Sequence, residues 1–291
     1  MRFATTVVAS LILTATTASA GLVDRHFHET FTVEPGATLH LDHGDGDVEI
    51  TVWDRSEIEV DVTFRLEVKR IGIGEDPDFS VEMEQRGNDV FVGEADTDSW
   101  TVGIFHMSRQ HEYVYRVRVP REVDLDLDGD DGDVRIEGVV GRLDVGLDDG
   151  DLLLESLRLS RAVIETEDGD VRVRGGSGVF DIRVDDGDVR FEDVECVDLV
   201  VEAEDGEVEL GLLGDGAVQW RVDTEDGDVT LRAEGELDAE VDLATDDGRI
   251  RHDLEERGDD RSDAVRGRLG DGKGRIRIRT EDGDIDLLVH R

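Results

Sequence analysis

The sequence has few cysteines, prolines and lysines. It has one cysteine, Cys196, three prolines and two lysines, Lys69 and Lys273, among 291 residues. A single cysteine excludes an intramolecular disulfide, and we expect this one to be a small side chain in or near the core. After the N-terminal segment, no apolar run approaches the roughly 20 residues that a membrane-spanning helix needs. The fold must therefore be held together by burial and backbone pairing.

Positive charge is also scarce. The sequence has 75 Asp and Glu against 32 Lys and Arg, a formal net charge of -43. A polyanion of this size repels nucleic acid and anionic lipid, so neither is an expected partner. The balance resembles that of proteins from saline habitats, where dissolved salt screens the self-repulsion.

Residues 1–20 have the pattern of a signal peptide. Arg2 supplies the positive charge, residues 7–16 are a short and mostly apolar run, and Ala18-Ser19-Ala20 fits the small-residue cleavage rule. We therefore expect a mature chain that starts at Gly21. The predicted location is outside the cytoplasm, in the periplasm or the extracellular space.

An Asp-Gly dipeptide recurs along the chain and divides it into repeats. We call its glycines the turn glycines. They are Gly46, Gly132, Gly150, Gly169, Gly187, Gly206, Gly227, Gly248 and Gly283. From Gly132 to Gly248 each is separated from the next by about 20 residues, the length of a short β-repeat. Seven and five residues before each glycine, and two and four after it, the side chains are apolar, with His252 as the one lapse.

This alternation predicts β-strands with one buried face, and no segment has a sustained helical period. Glycine accepts a positive φ and Asp favours turns, so each Asp-Gly is expected to be a tight turn. An all-β fold follows. We favour a right-handed parallel β-helix, or β-solenoid, with rungs of about 18–21 residues, because near-identical repeats stack naturally in parallel. The alternative is an antiparallel meander of Asp-Gly hairpins.

The chain after the predicted signal peptide divides into two regions. Residues 21–120 form an N-terminal β region with the first repeat, and residues 121–291 form the regular repeat array. Within the array, residues 253–274 interrupt the last repeat with mixed charge and several glycines, so they are expected to be a surface loop.

The acids that precede the turn glycines are the clearest candidate site. If the repeats stack, these carboxylates form a file at about 4.8 Å spacing and repel one another, which favours Ca²⁺ or dissolved salt nearby. They are Asp131, Asp149, Asp168, Asp186, Asp205, Asp226 and Asp247. The pattern is neither an EF-hand loop nor a calcium β-roll repeat. Solvated turn aspartates are the simpler interpretation, and no metal or cofactor is assigned.

Other candidate residues have simple structural interpretations. Four histidines are close in sequence, and we expect alternation to distribute them between faces, in surface or capping roles: His26, His28, His40 and His43. Three tryptophans could form a sugar-stacking platform, but Trp220 occupies an inward position of its repeat, unlike Trp53 and Trp100. Catalysis needs one exceptional place with distinct pKa values, whereas these acids recur in every repeat. We therefore predict no catalytic residues and no enzyme.

The chain resembles the bacterial putative-adhesin family, exported β-repeat proteins built on a domain of unknown function. The resemblance is carried by Phe31, Val33 and Gly36, by Trp53, and by repeated Gly-Asp-Val units. These units begin at Gly46, Gly132, Gly169, Gly187 and Gly227. The resemblance implies a β-helix-like fold and a cell-envelope location, and it supplies no catalytic residues. The chain departs from the family in its acidity, in Arg249 where Asp is usual, and in residues 253–274.

The predicted function is a non-enzymatic envelope or secreted protein, an adhesin or a structural scaffold. Its faces would engage a cell-surface polymer, a protein or another copy of the chain. Two alternatives remain: a carbohydrate-active β-helix enzyme, and a calcium-binding or salt-adapted structural protein. The ligand and the oligomeric state are not readable from the sequence.

Overall fold

A computed structural model describes residues 22–67, 80–94, 111–254, 256–260 and 263–290. The predicted signal peptide, residues 1–20, and Trp100 lie outside the described residues. All regular elements in the described part are β-strands. In chain order they are β1 (Leu22–Thr32), β2 (Ala37–Asp45), β3 (Asp47–Trp53), β4 (Glu57–Glu67), β5 (Val81–Arg86), β6 (Asp89–Glu94), β7 (His111–Pro120), β8 (Val123–Asp131), β9 (Val134–Glu137), β10 (Val140–Asp149), β11 (Leu152–Asp168), β12 (Val171–Asp186), β13 (Val189–Asp205), β14 (Val208–Leu213), β15 (Gly216–Ala217), β16 (Gln219–Asp226), β17 (Val229–Glu234), β18 (Leu237–Asp247), β19 (Ile250–His252), β20 (Glu256–Asp260), β21 (Ala264–Leu269), β22 (Gly274–Asp282) and β23 (Ile285–His290).

Strands on the two sides of a turn glycine pair with neighbouring repeats and not with each other. Strand β8, before Gly132, pairs in parallel with β2 and β10, and β9, after it, pairs in parallel with β3 and β11. The same parallel register continues through β11, β12 and β13. The all-β prediction is confirmed and the pairing is mostly parallel. The alternative meander of Asp-Gly hairpins is wrong, because these turns do not join paired strands.

The alternating apolar side chains form one continuous core. In the Gly169 repeat, Ala162, Ile164, Val171 and Val173 are each at most 1% exposed. The equivalent side chains of the other repeats are buried too, with Ile250 and His252 as half-buried exceptions. Period-two alternation thus predicted which side chains are buried, because successive strand residues point to opposite faces.

A second corner lies six residues after several turn glycines and was not predicted. Gly138, Ser156, Gly175 and Asp193 occupy this position, each with a positive φ between 56° and 79°. Ser and Asp are the non-glycine residues that adopt this conformation here. Asp and Gly tolerate it most readily, so the signal in the sequence was a small or turn-favouring residue at plus six.

The repeats do not stack in sequence order at the C-terminal end. Strand β22 lies between β16 and β18, and β23 lies between β17 and β19. The last repeat in the sequence is therefore inserted between the two repeats that precede it. Gly274 begins the inserted strand, and a Cβ there would lie 2.2 Å from the Val218 carbonyl oxygen and 2.8 Å from that of Asp238.

Antiparallel strands cover the ends of the parallel stack. Strands β1, β4 and β7 pair antiparallel at the N-terminal end, beside the β5–β6 hairpin. At the other end β21 pairs antiparallel with β18 and β20. Residues 253–274 were expected to form a loop, but they contain β20 and β21. Their alternation is too short and too charged to have indicated strands. They form because β21 pairs with the edge of β18 and β20 pairs with β21.

The described residues contain no helix that is long and apolar enough to cross a membrane.

Candidate functional site

The turn glycines and the acids on both sides of them line up along one edge of the stack, which we call the turn edge. Except at Gly248, the amide of each turn glycine donates to the carbonyl of the acid before the turn glycine next to it in the stack, as in Gly150 N to Asp168 O at 2.9 Å. At Gly169 φ is +151°, and a Cβ would lie 2.1 Å from the Gly150 carbonyl oxygen. Glycine is therefore required both by conformation and by the close approach of two backbones.

The aspartate after each turn glycine has a structural role that the sequence did not indicate. Its carboxylate Oδ1 accepts a hydrogen bond from the equivalent backbone amide of the next repeat, a series that we call the carboxylate ladder. The Asp151 amide donates to Asp133 at 3.1 Å, Asp170 to Asp151 at 3.0 Å, and Asp188 to Asp170 at 3.0 Å. The ladder explains why Gly-Asp, as well as Asp-Gly, recurs in the sequence.

The ladder has one gap and one defined end. Among the described residues, no hydrogen bond runs from the Asp228 amide to the Glu207 carboxylate, although the Glu207 amide itself donates to Asp188 at 2.8 Å. Beyond the gap, the Asp284 amide donates to Asp228 at 2.7 Å, and the Arg249 amide donates to Asp284 at 2.9 Å. Arg249 is the last member of the stack, so no further repeat needs a carboxylate at this position. Its departure from the family's Asp is explained by its place.

The acids before the turn glycines form the second file of the turn edge, and they are exposed. Desolvation at the turn, and then repulsion by Asp149 and Asp186, raise the pKa of Asp168. Desolvation, followed by repulsion from Asp186 and Asp226, raises the pKa of Asp205. The predicted file of neighbouring carboxylates is therefore present, and its members disfavour one another's charge.

Specific calcium sites along this file were an alternative hypothesis and not the assignment made from the sequence. Within the described ranges, no group of three or more His, Cys, Asp or Glu side chains could hold a metal ion. Acid–base catalysis would need two groups whose pKa values are pushed apart by different surroundings. The turn edge instead repeats one arrangement in successive repeats.

A cleft of about 550 Å³ lies beside the turn edge. Three guanidinium groups, those of Arg183, Arg221 and Arg279, line it together with a row of acids that includes Glu204 and Glu225. The arginines already contact carboxylates of neighbouring strands: Arg183 lies 2.9 Å from Glu165, Arg221 lies 3.4 Å from Glu202, and Arg279 lies 3.7 Å from Asp242. The cleft therefore presents paired charges, which suit a polar ligand better than an apolar one.

The four early histidines have three different surroundings. His26 and His28 share one exposed face of β1, because strand residues two apart point the same way. His40 is half-buried, with its Nδ1 2.7 Å from Asp126. His43 was expected at the surface or in a cap but is 1% exposed, and neither ring nitrogen has a hydrogen-bond partner among the described residues.

His43 is buried because a glycine of another repeat makes room for it. A Cβ on Gly129 would lie 2.3 Å from the His43 ring. Desolvation lowers the pKa of His43, against the opposing effect of the Asp128 and Asp130 carboxylates. Sequence reasoning missed this site because Gly129 is far away along the chain, at a position that is usually filled by a larger side chain.

The remaining candidates are structural. Trp220 is 2% exposed and donates from Nε1 to the Cys196 carbonyl at 3.1 Å, so its predicted core position is confirmed. Cys196 is buried as predicted, and burial raises the pKa of its thiol to about 12. Two guanidinium groups, those of Arg55 and Arg118, lie over the Trp53 ring, each 4.8 Å from its centroid. Trp53 and Trp220 therefore do not form a shared platform.

Comparison with known proteins finds solved structures that resemble this chain. A crystal structure described as a putative adhesin from Bacteroides fragilis has a TM-score of 0.52 at 12% identity, and the match covers 93% of this chain and 98% of that one. This likeness shows a shared fold alone. A putative adhesin from Parabacteroides merdae gives a TM-score of 0.46 at 10% identity, over 92% of this chain and 97% of that one. No curated protein matches the chain.

The family itself is identified from the sequence profile. The model of the family described as Toastrack DUF4097, a domain of unknown function, matches residues 74–288. This range contains all of the turn glycines except Gly46. The resemblance carried by the Gly-Asp-Val units is confirmed, and the protein belongs to the Toastrack DUF4097 family.

Proposed function

We propose that the protein is an exported, non-enzymatic binding scaffold of the adhesin kind, and that its turn edge holds a positively charged partner. The scaffold would be a right-handed parallel β-helix. In support, successive repeats pair in parallel, and several of them have a second corner at plus six. A step of about 20 residues between turn glycines also matches one turn of a β-helix.

The observation that carries the proposal is the file of exposed carboxylates along the turn edge, which stand in register in successive repeats. Repulsion by Asp185 and Glu225 raises the pKa of Glu204, in the same region where the pKa values of Asp168 and Asp205 are raised. A bound cationic group would relieve this repulsion in several repeats at once. Complementary charge also accelerates encounter with such a partner and rejects anionic competitors.

The strand faces are less suited to a cation than the turn edge. Arg161 lies 3.1 Å from Asp181, Arg190 lies 3.0 Å from Glu209, and Arg174 lies 3.2 Å from Glu192. The positive charges of these arginines balance the negative charges of neighbouring acids on the strand faces. The uncompensated charge is therefore concentrated at the turn edge, where a long, flexible polycation or a basic protein surface could contact several repeats.

Binding to a soluble polycation tests the proposal. The triple variant Asp168→Asn, Asp186→Asn and Asp205→Asn removes three charges from the turn edge. The control variant Glu34→Gln, Asp54→Asn and Glu82→Gln removes three exposed charges from the N-terminal end. We expect the first variant to bind a lysine polymer more weakly than the control, with a smaller dependence on salt.

Two results would contradict this function. Equal binding by the two variants would mean that the polymer responds to net charge and not to the turn edge. Turnover of a polysaccharide by the purified protein would support the carbohydrate-active alternative instead. A panel of neutral, acidic and basic glycans therefore belongs in both the binding and the turnover assay.

Export is tested separately. The neighbouring structures are described as adhesins, and residues 1–20 have the pattern of a signal peptide. We expect the protein recovered outside the cytoplasm to begin at Gly21 by mass spectrometry. Recovery of the whole chain from the cytoplasm, with residues 1–20 attached, would contradict this expectation.

A further inference from the structure

We propose that two copies of the protein associate through the edge of β1, in an antiparallel pairing centred on Phe27. The partner is a second copy of this chain, and the same patch of both copies meets across a two-fold axis. The interface lies at the N-terminal end of the stack and away from the turn edge. It is therefore independent of the cationic partner proposed above.

Strand β1 has one backbone edge that no second described strand pairs with. The strand pairs antiparallel with β4 from Leu22 to Thr32, and within the described ranges it has no other strand partner. Near its end the Thr32 carbonyl accepts a hydrogen bond from Gln85 Nε2 at 2.8 Å, so β5 lies beside that part. Along residues 24–30, the N–H and C=O groups of alternate residues point away from β4. Such an edge is a template for pairing with another chain.

The two faces of this segment have different side chains. Phe27 is buried in the core, while the residues on the opposite face, such as His26 and His28, are exposed. Arg25 and Glu29 flank Phe27 on its own face, because strand residues two apart point the same way, and both are half-buried. One positive and one negative side chain thus lie at equal distances on the two sides of Phe27.

This symmetry makes the edge complementary to itself in one register. When the pairing is centred on Phe27, Arg25 of each copy lies opposite Glu29 of the other, and the two Phe27 residues lie opposite each other. Centring on residue 25 or 29 would instead place like charges opposite one another. Centring on residue 26 or 28 would place a charged residue opposite Phe27. Opposite charges and aromatic pairs across strands stabilise a sheet, whereas like charges destabilise it.

The surroundings of Glu29 favour the same contact. Desolvation by burial raises the pKa of its carboxyl group. A guanidinium group opposite this carboxylate would favour the charged form, and the two-fold axis provides the contact twice. Pairing of one short strand buries less than the roughly 1,600 Å² of a standard interface. We therefore expect a reversible dimer, with a Kd in about the micromolar range or weaker.

Net charge determines how the dimer responds to salt. Two copies of a chain with a formal net charge of -43 repel each other, and dissolved salt screens this repulsion. Salt also screens the Arg25–Glu29 pairs, but ion pairs near the surface contribute little. Association should therefore strengthen as NaCl is raised from about 0.01 M to about 0.15 M.

Sedimentation velocity over a range of protein concentrations tests the proposal, on the chain with and without residues 1–20. The wild-type protein should convert from monomer to dimer as its concentration rises. Glu29→Arg and Arg25→Glu should each weaken the dimer about tenfold or more, because like charges then lie opposite one another. An equimolar mixture of these two variants should dimerise again, since every charged pair across the edge is then of opposite sign. The control Glu82→Arg makes the same change in net charge as Glu29→Arg on the exposed face of β5, and it should dimerise like the wild type.

Cross-linking tests the register in chains that keep both charges. In the proposed pairing His26 of one copy lies opposite His28 of the other, and Cβ atoms of opposite residues are about 4.5–5.5 Å apart, close to the span of a disulfide. Both histidines are exposed, whereas the native Cys196 is buried. Oxidation of a mixture of the His26→Cys and His28→Cys proteins should join one copy of each, in preference to two copies of either.

Four results would overturn the proposal. They are a wild-type protein that stays monomeric at every concentration and salt, a dimer that both charge reversals leave intact, a mixture of the reversed variants that stays monomeric, and cross-linking without preference for the mixed product. The first would leave the edge of β1 to a different partner, and the others would place a dimer interface elsewhere on the molecule.

Discussion

At the scale of single residues, the aspartate after each turn glycine stabilises its neighbour and not its own repeat. The carboxylate reaches across to the next backbone amide, which would otherwise have to be satisfied by water. This hydrogen bond between repeats depends on the length of the Asp side chain. Glu207 has one more methylene, and the Asp228 amide receives no bond from it among the described residues. The sequence showed that Gly-Asp recurs, but not that its carboxylate bridges two repeats, because the bridge forms only when the repeats are stacked.

Shortening Glu207 should close the gap in the carboxylate ladder. The Glu207→Asp variant places a carboxylate at the distance found in the other repeats, so it should accept from the Asp228 amide. We expect a gain of about 1 kcal/mol in the free energy of unfolding, measured by urea denaturation. The reverse change, Asp188→Glu, should lose a similar amount, since the bond from the Glu207 amide at 2.8 Å depends on the shorter side chain. Equal stability of all three proteins would argue against the ladder.

His43 makes stability sensitive to mild acid. Its folded-state pKa lies below that of the unfolded chain, about 6.5. The unfolded state therefore binds the proton first, and stability should fall as pH drops from 6.5 towards the lowered value. The His43→Phe variant keeps a flat ring against Gly129 and removes two unsatisfied nitrogens. We expect it to be about 1–3 kcal/mol more stable and to lose the pH dependence in this window.

The control for His43 is the half-buried His40, which already has a carboxylate partner. Substitution of His40 by Gln should leave the pH dependence near 6 in place. If His43→Phe retained the wild-type dependence of stability on pH, another group would have to be responsible.

At the scale of elements, the inserted C-terminal strands are the feature that sequence analysis could least predict. Each repeat has the same apolar pattern, so the edge of one repeat fits that of any other. The pattern therefore predicted which side chains are buried, as at Ile276 and Ile278, but not which repeats are neighbours. The order is decided where strands diverge. Residues 216–217 of β15 pair directly with residues 237–238 of β18. Strand β22 lies between the two segments where they separate, after these residues.

Gly274 should be indispensable for this arrangement. In the Gly274→Ala variant the new methyl group would meet backbone atoms of Val218 and Asp238 on both sides. The Val218 carbonyl accepts from the Arg275 amide at 2.7 Å and Asp238 lies in β18, so both positions are held by backbone pairing. We expect a loss of about 3 kcal/mol or more in the free energy of unfolding, comparable with the largest effects of single substitutions.

The matched comparison is Gly146→Ala in β10. The nearest atom to a Cβ there is Asp128 Oδ1 at 3.8 Å, so alanine fits. Its stability should be unchanged or higher by about 0.4–1 kcal/mol, because alanine restricts the unfolded chain. Equal stability of the two variants in urea denaturation would mean that the Val218 and Asp238 backbones can shift to accommodate a methyl group at little cost.

At the scale of the whole molecule, charge is distributed by position in the repeat. The arginines were expected to face water between the apolar residues, and they lie there against acids of neighbouring strands. The turn edge was predicted from spacing alone, since the acids before the turn glycines are in register. Spacing could not predict which carboxylates have a raised pKa, because the pKa of each depends on neighbours in two other repeats.

The raised pKa values predict an unusual response to acid and salt. An acid whose folded pKa is raised binds a proton more readily when folded. Its ionisation therefore lowers stability as pH rises from the ordinary value, about 4, through the raised one. The Asp168→Asn, Asp205→Asn double variant should be more stable than the wild type at neutral pH and low salt. The difference should shrink in NaCl and disappear below pH about 4, as measured by thermal melting. A double variant that is less stable under all of these conditions would show that the carboxylates stabilise the turns.

The position of β22 and β23 also affects how the chain can finish folding. A ribosome delivers the repeats around Gly227 and Gly248 before the one that separates them. The earlier repeats can align, but the edges that β22 and β23 cover stay open until residues 274–290 are available to pair. A chain cut short before Gly274 would keep those edges exposed, available to proteases or to other unfinished chains. Closure of the stack therefore depends on residues 274–290, which fill the place between those two repeats.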